Sequence, residues 1–230
     1  MCTSSLLVSV SCLARPCNLG EVTVIQVRAG ESGSKLRNSS LVPVLRLRTG
    51  IWLLLTVRTA HGARVTAHYN TNTTSLDGLI GEFGGDRIKK SQADLGAEKD
   101  TIRMFHDINS GRFGPVQVII VNHAIYVAED IPLSQMSLGQ WDRTLNANLT
   151  SSFLVIREYL KGLEDLDGNV IGAMDKVAIV LVGSTAGKYG EPGHADYSVT
   201  KSGKLLSSAD LWGVLTGVSH DVRSHDDTEE

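Results

Sequence analysis

The stretch VAIVLVGSTAGKYGEPGHADYSVTKSG, residues 177–203, decides how this chain is read. Val177 to Val182 is a continuous apolar run of buried-strand length, and Gly183-Ser184 ends it. Gly187, Gly190, Pro192 and Gly193 mark a loop, and a helix is expected from Asp196 onward. On that helix Tyr197 and Lys201 stand one turn apart on the same face. A free phenol titrates at about 10, too high for acid–base work at neutral pH, and a neighbouring ammonium favours its phenolate. The lysine makes the tyrosine usable. Ser184, at the strand's end, can bring a second hydroxyl to the same place from the far side of the loop. Two hydroxyls aimed at one substrate oxygen suit proton transfer in carbonyl reduction or alcohol oxidation.

Outward from this segment, strand and helix patterns alternate. Leu41–Leu47, Arg64–Tyr69, Ile88–Ala93 and Val116–Val121 read as strands. Ile51–Ala60, Ser75–Phe83, Glu98–Asn109 and Leu138–Leu163 read as helices. Apolar strands separated by helices predict parallel pairing, right-handed crossovers and helices on both faces, which is a doubly wound parallel α/β sheet. Ligands of such sheets sit beyond the carboxyl ends of the strands. Asp94, Asn122 and Ser184 each follow one of these ends.

With 230 residues, 42% hydrophobic and 20% charged, the chain can bury one sizeable core. A net charge of −3 gives no basic footprint for nucleic acid or an anionic membrane, so neither is expected as a partner. Cys2, Cys12 and Cys17 have neither CxxC spacing nor accompanying histidines, so no metal is expected. His123 likewise has no second ligand at metal spacing. No run reaches the ~18 apolar residues of a membrane span. A cytoplasmic protein is the expectation. Residues 1–40 hold Gly, Ser and Pro breakers without a sustained period and read as a poorly structured extension; 41–212 form the body and 213–230 an acidic tail.

The segment GSTAGKYGEPGHADYSVTKSG resembles the active-site segment of the short-chain dehydrogenases/reductases, whose fold is Rossmann-like. By that resemblance Ser184, Tyr197 and Lys201 match the catalytic serine, tyrosine and lysine. Asn148, in Asn146-Ala147-Asn148-Leu149, matches the asparagine that helps to organise the lysine and a proton-relay water. Asp94-Leu95 resembles the pair whose acid meets the cofactor's adenine. Val121-Asn122-His123-Ala124 resembles the family's Asn-Asn-Ala-Gly segment, with His123 in the second Asn position. Arg157 falls where many members carry a basic residue near the cofactor. Tyr197 and Lys201 are expected to touch the cofactor as well as the substrate.

Two departures accompany these matches. The family's Thr-Gly-x-x-x-Gly-Ile-Gly opening is reduced to Thr49-Gly50-Ile51-Trp52, which leaves Ile51 as the cofactor-binding match and sets an indole where the last glycine belongs. After Gly203 the family's last strands and substrate loop cannot be read, so a sheet lacking its last strands is expected. The second strand ends His68-Tyr69-Asn70-Thr71 with no acid for a ribose hydroxyl, which favours NADP over NAD. The resemblance implies an oxidoreductase acting on a small carbonyl or alcohol, paired as a homo-oligomer through its long helices. The GSTAGK segment looks most like reductases of secondary metabolism. The alternative is a truncated, inactive relative that serves as a binding or dimerisation partner.

Overall fold

The computed structural model describes Leu6–Val10, Thr23–Arg28 and residues 64–164 and 177–204. Its strands are β1 (Leu6–Val10), β2 (Thr23–Arg28), β3 (Arg64–Tyr69), β4 (Ile88–Gln92), β5 (Val118–Val121) and β6 (Ala178–Val182). The helices are α1 (Thr74–Phe83), α2 (Glu98–Asn109), α3 (Leu138–Leu145), α4 (Ser151–Glu164), α5 (Ala186–Tyr189) and α6 (195–204). A π-helical turn, Asn146–Thr150, joins α3 to α4.

The strands form one sheet in the order β1-β6-β5-β2-β3-β4. β1 with β6, β5 with β6 and β3 with β4 pair in parallel. β2 alone runs antiparallel, with Val24 opposite Ala67 of β3 and Ile120 of β5. Two strands of the sheet therefore come from residues 1–40, which composition reads as an appendage. Thr23-Val-Ile-Gln-Val-Arg is rich in β-branched residues, and between β3 and β5 both its edges find hydrogen-bonding partners. The strand expected over Leu41–Leu47, the helix over Ile51–Ala60, Ile51 itself and the tail 213–230 lie outside the described residues.

Helices cover both faces, as the apolar strands require. Ile119, Val121, Ile179 and Leu181 pack with Met104, Phe105 and Ile108 of α2 and Val155, Ile156 and Tyr159 of α4. On the opposite face Ile120, Val180 and Val182 pack with Val65, Ala67 and the α1 residues Leu76 and Leu79. Alternate residues of one strand thus enter two separate cores, which is why β5 and β6 read as unbroken apolar runs. Among the described residues no helix is long and apolar enough to cross a membrane.

Ile179 is fully buried, whereas Ile102 of α2 is 42% exposed. Ile179→Ala is expected to lower the free energy of unfolding in urea by about 2–5 kcal/mol. Ile102→Ala is expected to change it by about 0.5 kcal/mol or less.

Candidate active site

The residues around Ser184 are arranged by two short-range devices. Leaving β6, the Ser184 hydroxyl accepts a hydrogen bond from the Ala186 N–H at 3.2 Å, which starts α5 inside a stretch the sequence reads as plain loop. Gly187 then lies so close to α6 that a β-carbon there would stand 2.7 Å from the carbonyl carbon of Lys201. Only glycine lets α5 and α6 touch at this point.

On α6 the expected pairing is present. The Lys201 ammonium stands 5.6 Å from the ring centre of Tyr197, and both side chains are buried, with Lys201 only 3% exposed. Lys201 Nζ donates to the Val182 carbonyl at 3.0 Å, at the carboxyl end of β6. A buried cation needs such partners, and this one ties the helix to the strand end where Ser184 departs.

Asn148 sits fully buried in the π turn. Its Oδ1 accepts from the Ile125 N–H at 2.7 Å, and its Nδ2 donates to the Ile125 carbonyl at 3.0 Å and to Thr200 Oγ1 at 3.3 Å. The carboxamide is thus spent on the backbone after β5 and on Thr200, the neighbour of Lys201. Its backbone carbonyl accepts from Ser152 Oγ at 2.6 Å.

Beyond the ends of β3, β4 and β5 lies a pocket of about 50 Å³ lined by His68, Asn70, Asp94, Leu95, Gly96, His123, Ala124 and Ala147. The structure brings Asp94 and His123 together here. Asp94 Oδ1 accepts from the Gly96 N–H at 3.0 Å. His68 Nε2 lies 2.8 Å from the Ala93 carbonyl, which can only accept, so Nε2 carries the proton. His123 Nε2 lies 2.6 Å from Ser151 Oγ, and Ser151 already gives its own proton to the Ala147 carbonyl. His123 Nε2 is therefore also protonated. Both Nδ1 atoms are left as lone-pair acceptors, buried and without a partner.

Burial pushes the His123 pKa well below its ordinary value, and the charges of Lys204, His68 and Lys201 push in the same direction. His68 is lowered too, chiefly by burial, against the raising effects of the Ala93 hydrogen bond and the Asp94 carboxylate. Lys204, buried on α6, donates to the His123 carbonyl at 3.1 Å. Burial first and Lys201 second lower its pKa well below the ordinary lysine value. Neither His68 nor Lys204 stands out in the sequence as a site residue. Lys204 is offset from Lys201 by three positions and could have been placed near it by helical spacing alone.

Asn122 follows β5 directly, beside this pocket's His123. Arg157 is not brought to the pocket. Its guanidinium pairs with Glu98 at 2.6 Å and Glu158 at 2.9 Å and lies over the Phe153 ring, so local ion pairs on α2 and α4 absorb its charge. Among the described residues no three metal-ligating side chains assemble into a group.

Residues 55–209 match the family model described as short chain dehydrogenase. A 3-oxoacyl-[acyl-carrier-protein] reductase of Synechocystis sp. is 29% identical over 150 residues, covering 64% of this chain and 56% of that protein. A D-threitol dehydrogenase of Mycolicibacterium smegmatis is 28% identical, covering 66% and 56%. An acetoacetyl-CoA reductase of Shinella zoogloeoides is 30% identical, covering 64% and 55%. The chain thus spans a little over half the length of these relatives. A short-chain dehydrogenase/reductase structure from Brucella melitensis, described as a glucose/ribitol dehydrogenase, superposes with a TM-score of 0.53 at 23% identity, covering 67% of this chain and 60% of that one. That similarity carries the fold alone.

Removing the Asn148 side chain strands a buried N–H and a buried carbonyl, so Asn148→Ala is expected to cost about 1–3 kcal/mol in urea unfolding. The sign for His123 follows from its lowered pKa. Its contribution is fully present above the unfolded value of 6.5 and is lost as pH falls from there toward the lower folded value. The thermal midpoint should therefore fall more steeply between about pH 7 and pH 5 in the wild type than in His123→Asn. Equal slopes would remove His123 as the source.

Proposed function

The chain belongs to the short-chain dehydrogenase family, and on that premise we propose that it is an oxidoreductase moving a hydride between a nicotinamide cofactor and a carbonyl or alcohol. One observation carries the reading. The Lys201 ammonium lies 5.6 Å from the Tyr197 ring centre while bonded to the Val182 carbonyl, at the strand end from which Ser184 departs.

The residues present suit such a cofactor at two places. Beside β3–β5, the Asp94 carboxylate and the orphaned Nδ1 atoms of His68 and His123 are acceptors for an amino-bearing heterocycle such as adenine. At α6, Lys201 offers an ammonium for a ribose hydroxyl, and Asn122 directly follows β5. The bound cofactor supplies or accepts the hydride. Tyr197 gives its phenolic proton to the substrate oxygen in reduction and recovers it in oxidation. Lys201 stabilises the phenolate that remains. Ser184 donates a hydrogen bond that orients the oxygen. Asn148 keeps the Ile125 backbone and Thr200 in register around this pair. NADP is preferred to NAD because Asn70 and Thr71, without an acid, follow β3.

The relatives named for 3-oxoacyl and acetoacetyl thioesters make acetoacetyl-CoA the first carbonyl to offer. A cytoplasmic location, a role in secondary metabolism and pairing of two copies belong to the same proposal; the exposed Leu138 and Phe153 on α3 and α4 support the pairing. Trp52, standing where the family has glycine, favours a second reading, an inactive relative that acts as a binding partner.

Thermal unfolding with added NADPH or NADH separates the two. A ligand bound only to the folded protein at a hundredfold over its Kd stabilises by about 2.7 kcal/mol. A saturable rise with NADPH, smaller with NADH and lost in Lys201→Ala, is the expected result. No rise up to millimolar cofactor in a cooperatively folding protein would leave the partner reading.

A further inference from the structure

Next to Tyr197 stands a polar cluster, built around the buried His194, that the catalytic roles above leave unused. Tyr126 and Asp130 come from the segment after β5, and Glu191 and His194 from the turn before α6. His194, only 2% exposed, holds its Nε2 2.8 Å from Tyr126 Oη and 2.9 Å from Asp130 Oδ1. A carboxylate can only accept, so Nε2 carries the proton. Tyr126 donates its own proton to Glu191 Oε1 at 3.0 Å, which leaves the phenolic lone pair facing His194. The single Nε2 hydrogen is thus shared between Asp130 Oδ1 and Tyr126 Oη.

The backbones are fastened alongside. Ile131 N–H donates to the Gly193 carbonyl at 3.0 Å. Gly193 has φ 76°, and a β-carbon on it would fall 2.8 Å from Asp130 Cα. The fastened ring then faces the reactive tyrosine. Tyr126 stacks on His194 at 4.4 Å between centres and meets the Tyr197 ring edge to face at 5.1 Å and 89°.

We propose that His194 and Tyr126, tethered by Asp130 and Glu191, are positioning residues that clamp the Tyr197 ring in its reactive orientation. This rests on Tyr197 being the proton donor. His194 acts through Tyr126, and Tyr126 acts through its ring edge. Aromatic pairs in this geometry favour one orientation, and small misplacements of a reacting group are costly in rate.

The test is NADPH-dependent reduction of acetoacetyl-CoA by wild type, His194→Ala, His194→Gln, Tyr126→Phe and the double variant His194→Ala/Tyr126→Phe. Loss of the clamp should lower kcat by about tenfold to a hundredfold, with KM for NADPH unchanged. His194→Gln, which keeps an N–H near the Nε2 position, should recover most of the loss. The double variant should be no worse than His194→Ala alone. Equal loss in His194→Ala and His194→Gln, or a change confined to KM, would overturn the clamp. A second readout needs no turnover. In tyrosine-labelled protein, the Tyr197 ring resonance, assigned by its disappearance in Tyr197→Phe, should move in His194→Ala while the signals of Tyr69 and Tyr159 stay in place. An unmoved Tyr197 signal would overturn the clamp. A wild type without turnover sinks the oxidoreductase reading alone, and this resonance then decides the clamp.

Discussion

A single buried carboxamide holds the site together. Asn148 bonds both backbone groups of Ile125 and the hydroxyl of Thr200, which joins the segment after β5, the π turn and α6 at one point. Tyr197 and Lys201 flank Thr200 on α6, and Tyr126 follows Ile125, so both sides of Tyr197 are referenced to the same side chain. The π turn makes this reach available. One extra residue in the turn redirects the helix face, so that Asn148 points into the protein. Buried polar groups of this kind fix one arrangement because each alternative leaves a donor or acceptor unpaired.

Around that point the protein buries several basic groups close together. Lys201, Lys204 and the two imidazoles of His68 and His123 lie near one another, all buried. The ammonium groups are held by backbone carbonyls, Val182 for Lys201 and His123 for Lys204. The imidazoles answer by staying neutral, with their remaining lone pairs in the region of Asp94.

Much of this was legible in the sequence. β3 and α2 occupy the spans that periodicity assigns, Arg64–Tyr69 and Glu98–Asn109, because each shows one clear period and clear breakers. The Tyr197–Lys201 pairing follows from helix spacing alone. Other features had no local signal. β2 enters the sheet between β3 and β5 through pairings far apart in sequence, and nothing in Thr23–Arg28 names its neighbours. α5 is hidden by Gly187, which lets α6 approach, and by Gly190 just after it. The π turn interrupts the period that predicts a single helix from Leu138 to Leu163. Arg157, whose place along the helix suggests a cofactor contact, pairs with Glu98 and Glu158, and neither partner is marked in the sequence. His194 carries no local signal, because its partners Tyr126 and Asp130 lie more than sixty residues away in the chain.

The central claim is that Tyr197 protonates a substrate oxygen while a hydride reaches the adjoining carbon. Isotope transfer tests it most directly. The chain would be incubated with acetoacetyl-CoA and NADPH carrying deuterium at C4, and the 3-hydroxy product analysed by mass spectrometry. The account predicts deuterium on the new carbinol carbon with wild type and its loss with Tyr197→Phe. Wild-type protein that binds NADPH yet yields no labelled product from any carbonyl offered, or a Tyr197→Phe variant that labels it as fast as wild type, would contradict it.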